Sequence, residues 1–231
     1  MAITEAIILA GGLGTRLRSA VPDLPKCMAP VNNKPFIAYV IDHLKEQGIE
    51  KFILALGYKS EMIVDFIDQQ YPSLHFEFVI EEEPLGTGGA IRLACNKTKS
   101  ENVVATNGDT LFKVNLDKLS ALHLQLQSDC TLSLKPMQNF ERYGVVELND
   151  HQSISSFKEK QFYENGLING GLYAIHVQSF LQKKLAEKFS FEKDYLEKYF
   201  TEGKMYGSVQ DEYFIDIGIP EDYSRANKEL A

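Results

Sequence analysis

Short, unbroken apolar segments alternate with stretches of helical spacing through the first half of the chain. Three of them span residues 6–10, 52–56 and 103–106, and each holds four or five uncharged residues. Segments of this length, apolar on both faces, are typical of strands buried inside a sheet. Strands that alternate with helices join in parallel and carry the helices on both faces of the sheet. The pattern therefore predicts a Rossmann-like α/β fold.

The spacing of strands changes near the middle of the chain. The predicted strands are 6–10, 52–56, 76–80, 103–106, 130–134, 144–148, 153–158, 172–176 and 214–217. The predicted helices are one opened by Pro35, one capped by Ser60, one after Gly88, 116–126, 190–200 and one opened by Pro220. Beyond Pro136 the strands lie closer together, which indicates a sheet that is mixed although still mostly parallel. We expect one domain, 1–231, with halves 1–135 and 136–231.

Composition excludes several other classes of protein. The 231 residues are 44% hydrophobic and 24% charged, as in globular domains and unlike disordered or fibrous chains. A net charge of −8 without a Lys/Arg cluster argues against a nucleic-acid partner. Three cysteines without a CxxC pair indicate a reducing compartment. The first apolar segment is too short for a membrane span, so we expect a cytoplasmic protein without a membrane partner.

A glycine-rich turn follows the first predicted strand and reads Gly11-Gly12-Leu13-Gly14-Thr15-Arg16. Backbone N–H groups in such a turn can hold phosphate oxygens, because no side chain blocks their approach. A dinucleotide-binding turn would need a glycine where Leu17 stands, and a P-loop would need Gly-Lys-Ser/Thr. The alternative is a plain surface loop, but the position after a buried strand favours phosphate binding.

A single lysine, Lys26, lies between Pro25 and Pro30 a short way beyond this turn. We expect the two prolines to hold the segment extended and stiff. A rigidly mounted cation near a phosphate-binding turn suits contact with an anion, whereas the alternative is a solvated loop lysine.

Two more motifs lie at predicted strand ends. Residues 81–90 read Glu-Glu-Glu-Pro-Leu-Gly-Thr-Gly-Gly-Ala, which alone would be an acidic loop with Thr87 capping the next helix. Residues 106–109 read Thr-Asn-Gly-Asp. Asp109 then lies at the edge where α/β sheets bind ligands, and its carboxylate can hold Mg²⁺. The alternative for this motif is an ordinary Asn-Gly turn.

Together these motifs resemble the sugar-1-phosphate nucleotidyltransferases, also called nucleoside-diphosphate-sugar pyrophosphorylases. The second half adds four matching segments in the right order, at 142–144, 157–160, 167–171 and 214–218. The resemblance covers nearly the whole chain. One departure is Cys27, which stands where the family commonly has a second proline after the lysine. Without the second proline the segment is less rigid, but Lys26 keeps its position in the motif.

The resemblance implies transfer of a nucleotidyl group from an NTP to a sugar 1-phosphate, with Mg²⁺ as cofactor. It implies that Arg16, Lys26 and Asp109 are catalytic and that Asp109 and Asp216 hold the metal. The implied nucleotide-binding residues are Leu9, Ala10, Gly11, Gly12, Gly14, Thr15, Arg16, Lys26, Glu81, Pro84, Gly86, Thr87, Gly88, Asn107 and Gly108. The implied sugar-phosphate-binding residues are Gly144, Glu159, Lys160, Asn169, Gly170 and Asp216.

More specific roles come with the same resemblance. The glycines of 86–88 are expected to let a flat base approach the backbone, and Gly144 to lie under the sugar. Glu159 is expected to be a buried carboxylate that accepts from sugar hydroxyls, and Lys160 to hold the sugar's phosphate. The first half of the domain is thus the nucleotide-binding half, and the second is the sugar-phosphate-binding half.

The motifs are most similar to those of the subgroup that uses GTP and a heptose 1-phosphate for surface polysaccharides, although composition and spacing reveal neither sugar nor base. The nearest rivals are the same chemistry with mannose 1-phosphate and GTP, or with a UTP-dependent sugar 1-phosphate. A non-catalytic nucleotide-sugar sensor is a different class, and intact Lys26, Asp109 and Asp216 argue against it. An NAD-dependent oxidoreductase lacks support because the third glycine is missing. The oligomeric state stays open, with a homodimer among the alternatives.

Overall fold

The predicted parallel strands form one half of a central sheet in a computed structural model that describes residues 2–12, 17 and 21–230. In that half, β6 (Asn102–Asn107), β1 (Glu5–Ala10), β4 (Lys51–Leu56) and β5 (His75–Ile80) lie side by side in parallel. The unbroken apolar runs explain this arrangement, because every residue of β4 is buried. The strands predicted at 6–10, 52–56, 76–80 and 103–106 are confirmed.

The second half of the sheet is mainly antiparallel. Its longest strand, β11 (Tyr163–His176), runs antiparallel to β6 on one side and to β8 (Cys130–Phe140) on the other. The strand predicted at 130–134 is confirmed and has the same direction as β6, but the antiparallel β11 lies between the two. β8 pairs with β11 and, in parallel, with β12 (Met205–Val209), a strand that the sequence analysis missed. Among the described residues the main sheet has nine strands and is mixed, as expected.

Three further strand pairs are present, one at the edge of the main sheet and two in separate two-stranded sheets. β9 (Val145–Leu148) pairs with β10 (Ile154–Lys158) at one edge and touches β11. A separate ribbon joins β7 (Thr110–Phe112) to β13 (Phe214–Asp216), and a small hairpin joins β2 (Pro30–Val31) to β3 (Lys34–Pro35). The short strands β2, β3 and β7 were not predicted, because two or three residues carry no readable periodicity.

Helices cover both faces of the sheet, as predicted. They are α1 (Phe36–Glu46), α2 (Ser60–Gln70), α3 (Gly86–Cys95), α4 (Leu116–Gln125), α5 (Val177–Leu181), α6 (Glu197–Tyr199) and α7 (Pro220–Glu229). Neighbouring residues of β1 serve opposite faces: Ile8 packs under α1 and α2, whereas Ile7 packs under α3 and α5. Within the described ranges, no helix combines the length and apolarity that crossing a bilayer requires.

Some predicted helix boundaries were wrong. Ser60 is the first residue of α2 rather than its cap, and Lys59, with a left-handed φ of 52°, takes the cap position. The helix expected after Gly88 already begins at Gly86. The segment predicted as one helix over 190–200 is a π-helix at Phe191–Leu196 that continues into α6 and a 3₁₀ turn.

Candidate active site

The carboxyl ends of β1 and β6 meet at one edge of the sheet and bring two predicted motifs together. The Gly108 N–H donates to the carbonyl of Leu9, at 2.8 Å. A side chain on Gly108 would crowd that carbonyl, so the glycine allows the two strand ends to touch. Asp109 follows directly, at the edge where parallel sheets bind ligands.

Lys26 lies between the two predicted metal ligands. Its Nζ contacts Oδ2 of Asp109 and lies 3.4 Å from Oδ1 of Asp216. The β7–β13 ribbon brings the carboxylates together, since the Ile217 N–H donates to the Asp109 carbonyl at 3.1 Å. The expectation of an extended mount was wrong: Lys26 begins a 3₁₀ turn, Lys26–Met28, and the extended φ and ψ angles belong to Pro25 and Ala29 on either side.

The carboxylate pair fits a divalent cation that keeps several other ligands. The side chains of Asp109 and Asp216 are 28% and 25% exposed, and that of Lys26 is 12% exposed. The described part of the chain contains no cluster of three or more His, Cys, Asp or Glu that could hold a metal. Mg²⁺ commonly takes one or two carboxylates together with substrate phosphates and water, so two aspartates suffice for such a site.

Cys27, next to the site lysine, is unreactive at neutral pH. Burial, and secondarily the charge of Asp109, raises the pKa of the Cys27 thiol to about 12. The thiol is therefore protonated at neutral pH and cannot serve as a nucleophile.

Glu81 lies against the start of the glycine-rich turn. Its Oε1 would be 2.5 Å from a Cβ on Gly11, and its Oε2 accepts a hydrogen bond from the Leu85 N–H at 2.8 Å. Burial raises the pKa of the Glu81 carboxyl, and the Leu85 N–H partly opposes that rise. The predicted nucleotide residues Gly11, Gly12 and Glu81 thus lie together, with Pro84 exposed nearby in sequence. Gly14, Thr15 and Arg16 lie outside the described residues.

The glycines of 86–88 have a packing role that the sequence analysis did not foresee. Gly86 has a φ of +74°, and a Cβ there would come within 2.6 Å of the Phe189 carbonyl oxygen. A Cβ on Gly88 would overlap the Phe189 ring. The space that a Cβ would take on either glycine is therefore occupied by Phe189. Base binding by the remaining atoms of 86–88 stays a prediction.

A cavity of about 660 Å³ brings most of the predicted sugar-phosphate residues together. Gly144, Glu159, Lys160 and Asn169 all line it, and so does Asn107, which we had placed with the nucleotide. The residues come from the ends of β6, β9 and β10 and from the middle of β11, which explains why their sequence separation is large.

Two of the predicted sugar residues lie elsewhere, and one differs in exposure. Gly170 packs against the Phe112 ring and is absent from the cavity lining, while Asp216 lies with Lys26. The expectation of a buried Glu159 was wrong, because it is exposed at the position just after β10. Asn169 is held in place, since its Nδ2 donates to the Tyr173 hydroxyl and its Oδ1 accepts from the Gly171 N–H.

Sequence reasoning missed several cavity residues. They are Tyr173, Ser190, Glu192, Lys193 and Glu197, with Val145 and Val146 from β9, whereas Tyr143 lay in a recognised segment but had been given no role. Burial, and secondarily the nearby Asp216, raises the pKa of the Tyr143 hydroxyl to about 12, so this side chain is a neutral hydrogen-bonding group. Ser190 and Glu192 lay in the predicted helix 190–200. A serine followed by a glutamate is typical of a capped helix start, so neither was considered as a site residue.

Gly144 provides a test of how tightly this cavity is built. A Cβ there would overlap the backbone carbonyl oxygen of Lys158, which cannot rotate away. We expect Gly144→Ala to lower the free energy of unfolding by about 1–3 kcal/mol, as for other overpacked sites, in urea denaturation. The exposed Ser155 on the adjacent strand gives the control, Ser155→Ala, with a change within about 0.5 kcal/mol. Equal stability of the two variants would contradict the close packing at Gly144.

The site combines a lysine between two carboxylates at the strand edge with a polar cavity, groups that could hold a cation and a charged ligand. Comparison with known proteins agrees, because the model of the nucleotidyl transferase family matches residues 5–231. The chain belongs to this family and is a nucleotidyltransferase.

Particular members of the family are similar over the full length. The D-glycero-alpha-D-manno-heptose 1-phosphate guanylyltransferase of Aneurinibacillus thermoaerophilus is 54% identical over 226 residues, covering 98% of each chain. The protein of the same name from Campylobacter jejuni is 45% identical, covering 95% of this chain and 96% of its own. The crystal structure of HddC from Yersinia pseudotuberculosis superposes with a TM-score of 0.89 at 37% identity, covering 99% of this chain and 100% of that chain.

Proposed function

We propose that this enzyme transfers a guanylyl group from GTP to D-glycero-α-D-manno-heptose 1-phosphate, giving GDP-heptose and pyrophosphate. The observation that carries the proposal is Lys26 held between Asp109 and Asp216, with Asn107 on the same strand end lining the polar cavity. Two relatives that cover nearly all of the chain carry the name of this activity, and HddC was also crystallised in complex with GMP-PN.

The chemistry requires positioning and charge stabilisation rather than a general base. The nucleophile is a phosphate oxygen of the sugar 1-phosphate, which is already ionised at neutral pH. It attacks the α-phosphorus of GTP in line, and the bond to the bridging oxygen of pyrophosphate breaks. Negative charge builds up around the α-phosphorus, so a nearly buried ammonium such as that of Lys26 stabilises the transition state.

The two aspartates supply the metal ligands in this proposal. Asp109 and Asp216 would hold Mg²⁺, which when bound neutralises phosphate charge and fixes its geometry. The Lys26 ammonium contacts both carboxylates. The glycine-rich turn, including Gly14, Thr15 and Arg16, would hold the triphosphate, with the Arg16 guanidinium suited to a bidentate contact.

The cavity would hold the heptose and its phosphate. Lys160 supplies a cation for the attacking phosphate, and Glu159 and Asn169 supply polar atoms for the sugar hydroxyls. Because the substrate GTP is a cytoplasmic metabolite, we also propose that the reaction takes place in the cytoplasm.

A substrate screen tests this proposal directly. Purified enzyme is incubated with Mg²⁺ and each of GTP, ATP, UTP, CTP and dTTP, combined with a panel of sugar 1-phosphates, and pyrophosphate release is measured. We expect the highest kcat/KM for GTP with D-glycero-α-D-manno-heptose 1-phosphate. A higher value for mannose 1-phosphate, or for UTP with any sugar, would refute the proposed substrate pair while leaving nucleotidyl transfer intact.

Glu159 tests the assignment of the cavity to the sugar. A hydrogen bond to a charged group contributes about 1.5–3 kcal/mol, so Glu159→Gln should raise KM for the sugar phosphate, or lower kcat/KM with it, by roughly 10–100-fold. Titration of GTP–Mg²⁺ without the sugar phosphate should give an unchanged affinity. The exposed Glu164, on β11, provides the control Glu164→Gln. Weaker GTP binding with an unchanged sugar KM would place Glu159 on the other substrate.

A further inference from the structure

Glu192 joins the predicted nucleotide segment to the sugar cavity. Its carboxylate oxygen Oε2 accepts a hydrogen bond from the Thr87 hydroxyl at 2.9 Å and another from the Ser190 hydroxyl, also at 2.9 Å. Thr87 lies in the first turn of α3, within the segment we assign to the nucleotide, and Glu192 lines the cavity that we assign to the sugar.

The contact is part of a wider connection between two segments, 85–88 and 189–192. The Thr87 hydroxyl also accepts from the Phe191 N–H, at 2.9 Å. On the other side, the Phe189 N–H donates to the Leu85 carbonyl and the Gly88 N–H donates to the Phe189 carbonyl. Backbone bonds in both directions, together with the glycine packing against Phe189, fix the two segments to each other. These bonds keep the two segments side by side, and the Thr87 hydroxyl connects α3 to the Glu192 carboxylate.

The second oxygen of the Glu192 carboxylate has unused capacity. Each carboxylate oxygen can accept about two hydrogen bonds, and Oε2 already accepts two. Within the described ranges, no hydrogen bond to Oε1 is formed. The residue is half-buried and lines the cavity, so an incoming sugar, which is rich in hydroxyl donors, can satisfy this oxygen.

We propose that Glu192 accepts a hydrogen bond from a sugar hydroxyl and, through Thr87, couples sugar binding to nucleotide binding. This inference rests on the proposed function, because it takes the sugar phosphate and GTP as the two ligands. A sugar bonded to Oε1 holds the carboxylate in place, and with it the Thr87 hydroxyl and the start of α3. Thermodynamic linkage then requires that each substrate increase the affinity for the other by the same factor.

The experiment measures that factor without turnover. D-glycero-α-D-manno-heptose 1-phosphate is titrated calorimetrically into the enzyme with Mg²⁺, alone and with saturating α,β-methylene-GTP, which cannot release pyrophosphate. For the wild type we expect the nucleotide analogue to strengthen sugar-phosphate binding about tenfold, within the usual range for coupled sites. In Thr87→Val, which keeps the side-chain shape but loses the hydroxyl, this ratio should fall to about one.

Two more variants separate coupling from simple stabilisation. Ser190→Ala removes a hydrogen bond of the same length to the same oxygen, but from the segment that carries Glu192 itself. Its coupling ratio should stay within about threefold of the wild type, since the connection to α3 remains. Glu192→Gln should lose the coupling and also bind the sugar phosphate about tenfold more weakly without nucleotide.

The outcomes distinguish this inference from the proposed function. A wild type that makes GDP-heptose but binds the two ligands independently overturns the coupling alone. The same holds if Thr87→Val keeps the wild-type ratio, or if Thr87→Val and Ser190→Ala lose it equally. A wild type that makes no GDP-heptose from GTP and the heptose phosphate refutes the proposed function, and the coupling with it.

Discussion

Lys26→Ala is expected to lower kcat by about 10²–10³-fold while changing KM for GTP much less. Loss of a preorganised group that meets developing charge typically costs this much. The ammonium is nearly buried and touches both carboxylates of the site, so water cannot replace it easily. Because the charge it meets develops in the transition state, the loss should appear in kcat rather than in ground-state binding. Steady-state kinetics with the proposed substrates measure both constants.

A matched variant shows whether the loss of another lysine–aspartate pair has the same effect. Lys34 also contacts an aspartate, Asp42, but its side chain is 39% exposed and the pair lies beyond the β2 strand. Lys34→Ala should leave kcat within about twofold, as expected for an exposed ion pair of small energy. If Lys26→Ala keeps near-normal turnover, with its fold intact by circular dichroism, Lys26 has no catalytic role and is an ordinary loop residue.

The parallel half of the fold was predictable because its signals are local. Residues 6–10 are apolar without interruption, which only a strand buried on both faces explains well, and β1 occupies that place. The glycine after α1 is another local signal, since Gly48 has the positive φ that ends a helix. Such features depend on a few neighbouring residues and require no knowledge of the rest of the chain.

The parts that were missed depend on contacts between distant residues. Nothing near Thr110 reveals that it pairs with Asp216 in a ribbon, yet that pairing brings the two site carboxylates together. Residues 86–88 alone do not reveal that Phe189 packs against Gly86 and Gly88. Glu192 resembles an ordinary helix residue in sequence and becomes a cavity residue only once α3 lies beside it.

The residues of the cavity were predicted by resemblance rather than by pattern. Gly144, Glu159, Lys160 and Asn169 each look like a turn residue or a solvated charge in isolation, and the fold places all four around one cavity. Their roles toward the substrate stay predictions. The exposure of Glu159 shows that matching a motif does not predict the burial of a side chain, because burial depends on every element packed around it.

Asp109→Asn and Asp216→Asn are each expected to abolish most Mg²⁺-dependent turnover, by roughly 10³-fold or more. A bound metal contributes several kcal/mol of charge stabilisation, and each amide would remove one negative ligand. Both carboxylates touch Lys26, so neither variant leaves the ammonium without a partner, and folding should be retained. Binding of Mn²⁺, followed by electron paramagnetic resonance with α,β-methylene-GTP present, should weaken in both variants. This measurement does not depend on turnover.

A third aspartate, Asp211, provides the control for the two metal-site variants. Asp211 contacts Lys135, its side chain is 75% exposed, and it lies outside the site. Asp211→Asn should keep Mn²⁺ affinity and turnover within about twofold, as for an exposed pair. If one site variant kept full activity at ordinary Mg²⁺ and normal Mn²⁺ binding, its aspartate would not be a ligand. Its place beside Lys26 would then serve to hold the lysine, which leaves the other carboxylate to bind the metal with the phosphates and water.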